Sequence, residues 1–116
     1  MAKYKWTISG DFHYITDYIK KEILNTSTSA SLEDEEYIIN DSCRIGIMVF
    51  ERYSYTGGNR LSLNVTVIDS NHKIQVIGIS SGGSNGVFFK VNTMGEEAFL
   101  DKLKGAINKI KRSCNE

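Results

Sequence analysis

Apolar and polar positions alternate along most of this chain, and two stretches replace the alternation with a helical period. Tyr4, Trp6 and Ile8 alternate with Lys3, Lys5 and Thr7, the period-two pattern of a strand with one buried face. Past Ser9-Gly10-Asp11 the period changes. Phe12, Ile15, Ile19 and Ile23, flanked by Tyr18 and Leu24, form a 3.6-residue stripe. The spacing predicts a helix over residues 11–24, with Ser9 or Asp11 accepting from its first free amides and Lys20 and Lys21 near its end. Residues 25–31 are rich in Ser and Thr, and Glu33-Asp34-Glu35-Glu36 reads as a solvated turn before Tyr37-Ile38-Ile39. A strand interrupted by a turn or bulge is expected there.

Cys43, Ile45, Ile47 and Val49 alternate with Arg44, Gly46, Met48 and Phe50. A strand apolar on both faces belongs at the centre of a sheet. Thr56-Gly57-Gly58-Asn59 supplies residues that tolerate positive φ in a tight hairpin. Leu61, Leu63, Val65 and Val67 then alternate with Arg60, Ser62, Asn64 and Thr66, and Asp69-Ser70-Asn71 turns the chain into a further strand over residues 73–79. After Ser80–Gly86, the segment Val87-Phe88-Phe89-Lys90-Val91 reads as a short last strand. Thr93-Met94-Gly95-Glu96 fits a capping box, in which the Thr hydroxyl and the Glu carboxylate satisfy each other's end of the first turn. The stripe Phe99, Leu103, Ala106, Ile107, Ile110 and Cys114 extends from it, predicting a second helix over residues 94–111.

The order is therefore β-α-β-β-β-β-(β)-α. An antiparallel meander of about five strands with two amphipathic helices is an α+β fold, most economically a two-layer sandwich with both helices on one face. No linker, repeat or proline divides the 116 residues, so residues 1–116 read as a single α+β domain. A chain of that length buries roughly two-thirds of its unfolded surface and needs no staples.

Charge narrows the choice of partners. Fourteen basic residues balance fourteen acidic ones, leaving no global field to attract nucleic acid or an anionic membrane. Arg44, Arg52, Arg60 and Lys73 beside Tyr53 and Tyr55 offer cations and stacking planes, but without the aromatic sheet motif of an RNA-binding module. Nucleic acid is not the expected partner. No apolar leader opens the chain and no run approaches the ~20 residues of a membrane span, so the expected location is the cytoplasm, with no membrane partner. Cys43 and Cys114 lack Cys-x-x-Cys spacing; a buried structural thiol and a loose terminal one fit that compartment.

The stretches Glu51-Arg52-Tyr53-Ser54-Tyr55-Thr56-Gly57-Gly58-Asn59-Arg60 and Ser81-Gly82-Gly83-Ser84-Asn85-Gly86-Val87-Phe88-Phe89-Lys90-Val91-Asn92-Thr93, with Gly95-Glu96-Glu97-Ala98-Phe99-Leu100-Asp101 after them, carry a family likeness. The chain resembles a family of short bacterial proteins known only as a domain of unknown function, from Met1 to the last helix. The resemblance implies no catalytic residues, because the family has no assigned activity.

Candidate chemistry is sparse. His13 and His72 have no Cys or His at ligand spacing, so neither a metal site nor a cofactor is expected. The run from Leu32 to Glu36 lacks the alternating ligands and central Gly of a calcium loop. Gly82-Gly83-Ser84-Asn85-Gly86 invites a phosphate reading, yet it matches neither phosphate-loop template and an apolar strand-like segment follows. If the loop holds a ligand, its amides at Gly82, Gly83, Ser84 and Asn85, with Lys90 and Arg52 nearby, suit an anion; otherwise its glycines answer backbone geometry. No triad or carboxylate pair is singled out by the sequence, and no catalytic residue is assigned.

One oddity remains. Met48 and Phe50, joined by Ile77 and Ile79, fall on the face opposite Ile45, Ile47 and Val49. With both helices on one side, this second apolar set is expected either under a wrapping segment or at a homodimer interface or ligand pocket. The expected function is a small non-enzymatic domain acting by self-association or binding. The alternative is a small-molecule, anion-binding protein or modest enzyme with its site near residues 82–86.

Overall fold

The computed structural model describes residues 1–27, 29–54, 59–82 and 89–114. Strand β1 (Ala2–Ile8) leads into helix α1 (Phe12–Thr26). Asp11 caps that helix: its Oδ2 accepts from the Tyr14 amide at 2.9 Å, and its carbonyl accepts from the Ile15 amide at 2.9 Å. At the other end the Ser27 amide donates to the Ile23 carbonyl at 3.1 Å. Strands β2 (Ser31–Ile39), β3 (Cys43–Ser54), β4 (Asn59–Ser70) and β5 (Lys73–Gly82) follow, and helix α2 (Phe89–Cys114) closes the order.

The strands form one antiparallel sheet in the order β1-β5-β4-β3-β2. The hairpins β2–β3–β4–β5 make the expected meander. Strand β1 adds to its far side, so α1 carries the chain from one edge to the other. Between β4 and β5 the turn is two residues long: Ser70 pairs with Lys73, and Asn71 and His72 take φ of 55° and 63°. Positive φ at both central residues is the hairpin geometry whose twist matches that of the flanking strands.

Both helices cover the same face, α2 over β1, β5 and β4 and α1 over β4, β3 and β2. Beneath them the inward residues of the sheet are Trp6, Ile8, Met48, Phe50, Leu61, Leu63, Val65, Val67, Ile74 and Val76, all buried. The helices contribute Phe12, Ile15, Ile19 and Ile23 from α1 and Phe99, Leu103, Ala106, Ile107 and Ile110 from α2. This is the α+β two-layer arrangement that the pattern of the chain implies.

Three details differ from the sequence expectation. The acidic run at 33–36 belongs to an edge strand rather than a turn, although the bulge expected as the alternative interruption is there, as a register shift against β3 between Leu32 and Asp34. Residues 89–91 are helical rather than a last strand, since α2 starts at Phe89. A short apolar run has no period of its own to separate strand from buried helix. Thr93 consequently lies inside α2, and the Thr93–Glu96 box does not form its start. The third difference concerns the two faces of β3. Met48 and Phe50 are wholly buried under the helices, whereas Ile45, Ile47 and Val49 are the half-buried set on the open side. The expectation that Met48 and Phe50 point away from the helix layer is thus reversed.

Candidate functional site: the open face of the sheet

Strand pairing places the open-face residues in rows that run across all five strands. One row reads Lys5, Ile77, Thr66, Ile47, Glu36 from β1 to β2. The next reads Lys3, Ile79, Asn64, Val49, Asp34, and on the other side lies Thr7, Gln75, Ile68, Ile45, Ile38. Each column therefore has its own chemistry. The β1 edge is basic, the β5 and β3 columns are aliphatic, the central β4 column is mostly polar, and the β2 edge is acidic. Ile77 and Ile79 belong here as expected, but with Ile45, Ile47 and Val49 rather than with Met48 and Phe50.

The aliphatic residues of β3 and β5 on this face are only half-buried, and Ile38 at the β2 edge is 52% exposed. Side chains flanked by neighbouring strands lose part of their surface to the sheet itself; what remains on Ile45, Ile47, Val49, Ile68, Ile77 and Ile79 faces outward. Thr66 donates to Asn64 Oδ1 at 3.3 Å within the central column. Several ionic side chains find internal partners: Lys20 with Glu35 at 2.7 Å, Arg60 with Glu51 and Glu33 at 3.0 and 3.2 Å, Arg44 with Asp69 at 3.3 Å, and Lys109 with Glu22. Lys3, Lys5, Asp34 and Glu36 make no ion pair among the described residues.

The anion site suggested by the sequence is brought together only in part. Gly82, Leu61 and Arg52 share one row on the helix face, Gly82 opposite Leu61 and Leu61 opposite Arg52. Leu61 packs over Gly82, where a Cβ would collide with its Cδ2, so an apolar side chain separates the glycine from the cation. The Arg52 guanidinium donates to Ser27 Oγ at 3.2 Å and to the Gly95 carbonyl at 3.5 Å, and lies 4.8 Å from the Phe99 ring centre. Burial lowers its pKa from the usual arginine value. Gly83, Ser84 and Asn85 lie outside the described residues. Lys90 falls in the first turn of α2, not in a strand as expected.

Two further polar groupings stand apart. Lys20, Glu35 and Tyr37 join α1 to β2: Glu35 Oε2 accepts from Lys20 at 2.7 Å and from the Tyr37 hydroxyl at 3.2 Å. The hydrogen bond to Glu35 raises the Lys20 pKa, the same bond lowers that of Glu35, and burial raises that of Tyr37. A raised lysine is a poorer nucleophile at neutral pH, so this trio suits fastening better than catalysis. At the sheet end that carries His72, the β2–β3 and β4–β5 turns frame a depression of about 360 Å³ lined by Asn40, Cys43, Arg44, Asp69 and His72 among others. The Arg44–Asp69 pair lies across it. Among the described residues no cluster of three His, Cys, Asp or Glu side chains is placed to hold a metal ion, and no helix is long and apolar enough to cross a membrane.

The model of a family of unknown function, DUF6054, matches residues 1–111. The chain belongs to DUF6054. The match runs from β1 through nearly all of α2, so the open face, α1 and most of α2 of this DUF6054 protein lie within it. No curated protein and no solved structure matches the chain.

Sequence reasoning missed the charged columns that frame the open face. Their signal was present in Lys3 and Lys5 and in Asp34 and Glu36, each pair on one side of its strand. Only strand order could reveal that the two pairs occupy opposite edges of the same surface.

Proposed function

We propose that this DUF6054 protein is a non-enzymatic cytoplasmic domain that works by self-association through its open sheet face. The observation that carries the reading is the pair of aliphatic columns, Ile45, Ile47 and Val49 on β3 and Ile77 and Ile79 on β5, facing outward on an otherwise packed two-layer domain. Two aliphatic columns left outward on either side of Asn64 and Thr66 suit an interaction surface. The alternative route to association, strand addition at an edge, is opposed on both sides. Strand β2 carries four consecutive acids and a bulge, and β1 carries Lys3 and Lys5, devices that discourage edge pairing. The free thiol of Cys43 suits a reducing compartment. Sedimentation equilibrium tests the reading: wild type is expected to be dimeric at micromolar concentration, and Ile47→Asp, which places a charge in the patch without touching the core, is expected to be a folded monomer. A wild type that stays monomeric at several hundred micromolar removes it.

A second reading, binding of a small anion beside Arg52, is favoured by one observation. That guanidinium is partly buried and has no carboxylate partner among the described residues. Its donors are already engaged by Ser27 and Gly95, which is why the reading ranks second. Inorganic phosphate at millimolar concentration raises the melting temperature of wild type and not of Arg52→Gln if it holds.

A further inference from the structure

We propose that two copies pack face to face about a two-fold axis parallel to the strands, with the basic β1 edge of each copy lying on the acidic β2 edge of the other. The proposal rests on the self-association reading above and adds to it the partner, the axis and the register.

Two identical sheets stacked on their open faces can be related by a two-fold axis lying between them, and the two simple orientations have opposite electrostatic consequences. An axis parallel to the sheet but perpendicular to the strands returns each edge to itself. Lys3 and Lys5 would then face the same lysines, and Asp34 and Glu36 the same acids. An axis parallel to the strands exchanges the edges. Lys5 and Lys3 of one copy come over the Glu36 and Asp34 columns of the other, and the exchange happens twice because the contact is symmetric. All four side chains are exposed and lack ion-pair partners among the described residues of their own chain. Like charges brought together cost association, opposite charges steer it, so the column pattern selects the axis along the strands.

The inner columns agree with the same axis. Strand order β1-β5-β4-β3-β2 places β4 at the centre, so the exchange sets β3 against the partner copy's β5. Ile47 and Val49 then cover Ile77 and Ile79 and are covered in return. Aliphatic surface meets aliphatic surface at both positions. The polar column falls on the axis, where Asn64 and Thr66 each meet their own copies. An amide is both donor and acceptor and can satisfy itself across a two-fold axis, and a polar pair at such a place fixes register rather than adding affinity. Aligned sheets pack about 10 Å apart with strands rotated by roughly 30°, a rotation small enough to keep the columns in correspondence. Area is adequate too. Five strands about 4.8 Å apart and about ten residues long at ~3.3 Å per residue present about 800 Å², the size of one side of a standard specific interface.

The test is a charge-exchange cycle read by sedimentation equilibrium in about 0.1 M salt, with circular dichroism to confirm folding. Within one chain the two edges are four strand spacings apart, about 19 Å, beyond a Debye length at 0.1 M salt. Reversing either edge therefore has little effect on the fold. Lys3→Glu with Lys5→Glu is expected to weaken the dimer roughly tenfold or more, and so is Asp34→Lys with Glu36→Lys. All four changes together restore opposite charges across the strand-parallel axis and are expected to return the dissociation constant to within about threefold of wild type. With the perpendicular axis like faces like in wild type and in every variant alike, so neither single-edge reversal weakens the dimer selectively and the fourfold variant has nothing to restore. A dimer indifferent to all three variants, or one not restored by the fourfold exchange, overturns this geometry and leaves self-association standing. A monomeric wild type overturns both.

Discussion

Gly78 of β5 lies directly beneath Leu103 of α2: a Cβ at Gly78 would collide with Leu103 Cδ2 and meet Leu100 Cδ1 at 3.0 Å. The missing side chain is what lets α2 settle onto the sheet, and Leu103 fills the space with no surface left exposed. Gly78→Ala is therefore expected to lower stability by about 1–3 kcal/mol through overpacking, and Leu103→Ala by about 2–5 kcal/mol through loss of contacts and a cavity. The two faults are complementary in space. The double variant should cost less than the sum of the single ones, which urea unfolding midpoints would register; strict additivity would show that the two residues do not share the same space.

The turn between β4 and β5 offers a gain rather than a loss. His72 holds φ of 63° after Asn71 at 55°, and a non-glycine residue in that region carries about 1–2 kcal/mol of strain. Asparagine tolerates it; histidine has less reason to. Glycine at 72 relieves the strain but loses about 0.5–1 kcal/mol to greater freedom of the unfolded chain, leaving a net gain of about 0.5–1 kcal/mol for His72→Gly. Thermal unfolding of the variant checks this, and an unchanged or lowered melting temperature contradicts it.

What the sequence made legible, and what it did not, follows from the range of the interactions involved. The period of Phe12, Ile15, Ile19 and Ile23 and the cap at Asp11 are local, and α1 appears where they predict it, two residues longer at its end. The alternation over 43–50 announces a strand apolar on both sides, but which side meets the helices depends on the register that β1, β4 and β5 impose. Met48 and Phe50 share the inward face with Gly46, over which Tyr37 and Phe12 from β2 and α1 lie. Nothing within β3 contains that information. The same holds for the candidate interface, since Lys5 and Glu36 share a row only because four other pairings lie between them. The start of α2 was hidden for another reason: residues 87–91, apolar but for Lys90, suit strand and helix alike.

The fastening of α1 to β2 should appear in the pH dependence of stability. The Lys20 bond lowers the Glu35 pKa in the folded state. Stability from Glu35 is present above its unfolded value of about 4.3 and lost as pH falls through the lower folded one. The Glu35 bond raises the folded value of Lys20, so its contribution is complete below about pH 10 and disappears as pH rises through that folded value. Wild type is thus expected to lose stability at both extremes more steeply than Lys20→Met, which removes the shared partner. Parallel curves for the two proteins, measured by denaturant unfolding from pH 3 to 11, would remove the trio as a contributor.

Arg52 provides the last test, because it joins three elements, β3, the end of α1 and α2. It sits on β3, reaches Ser27 just past the end of α1 at 3.2 Å, reaches the Gly95 carbonyl of α2 at 3.5 Å, and covers the Phe99 ring at 4.8 Å. Ser27 is itself buried, so its hydroxyl has little water to turn to when the guanidinium is removed. Arg52→Met keeps much of the aliphatic stem and removes both donors, which leaves the buried Ser27 Oγ short of a partner and should cost about 1–3 kcal/mol. Arg52→Lys keeps the charge but not the planar fork that serves two acceptors and an aromatic face at once, so it is expected to rescue only part of that loss. Ser27→Ala in the Arg52→Met background takes away the stranded hydroxyl. The double variant should then be no less stable than Arg52→Met alone, although Ser27→Ala destabilises wild type. Equal costs of Ser27→Ala in the two backgrounds, read from urea midpoints, would mean that the Arg52–Ser27 bond contributes nothing to holding α1, β3 and α2 together.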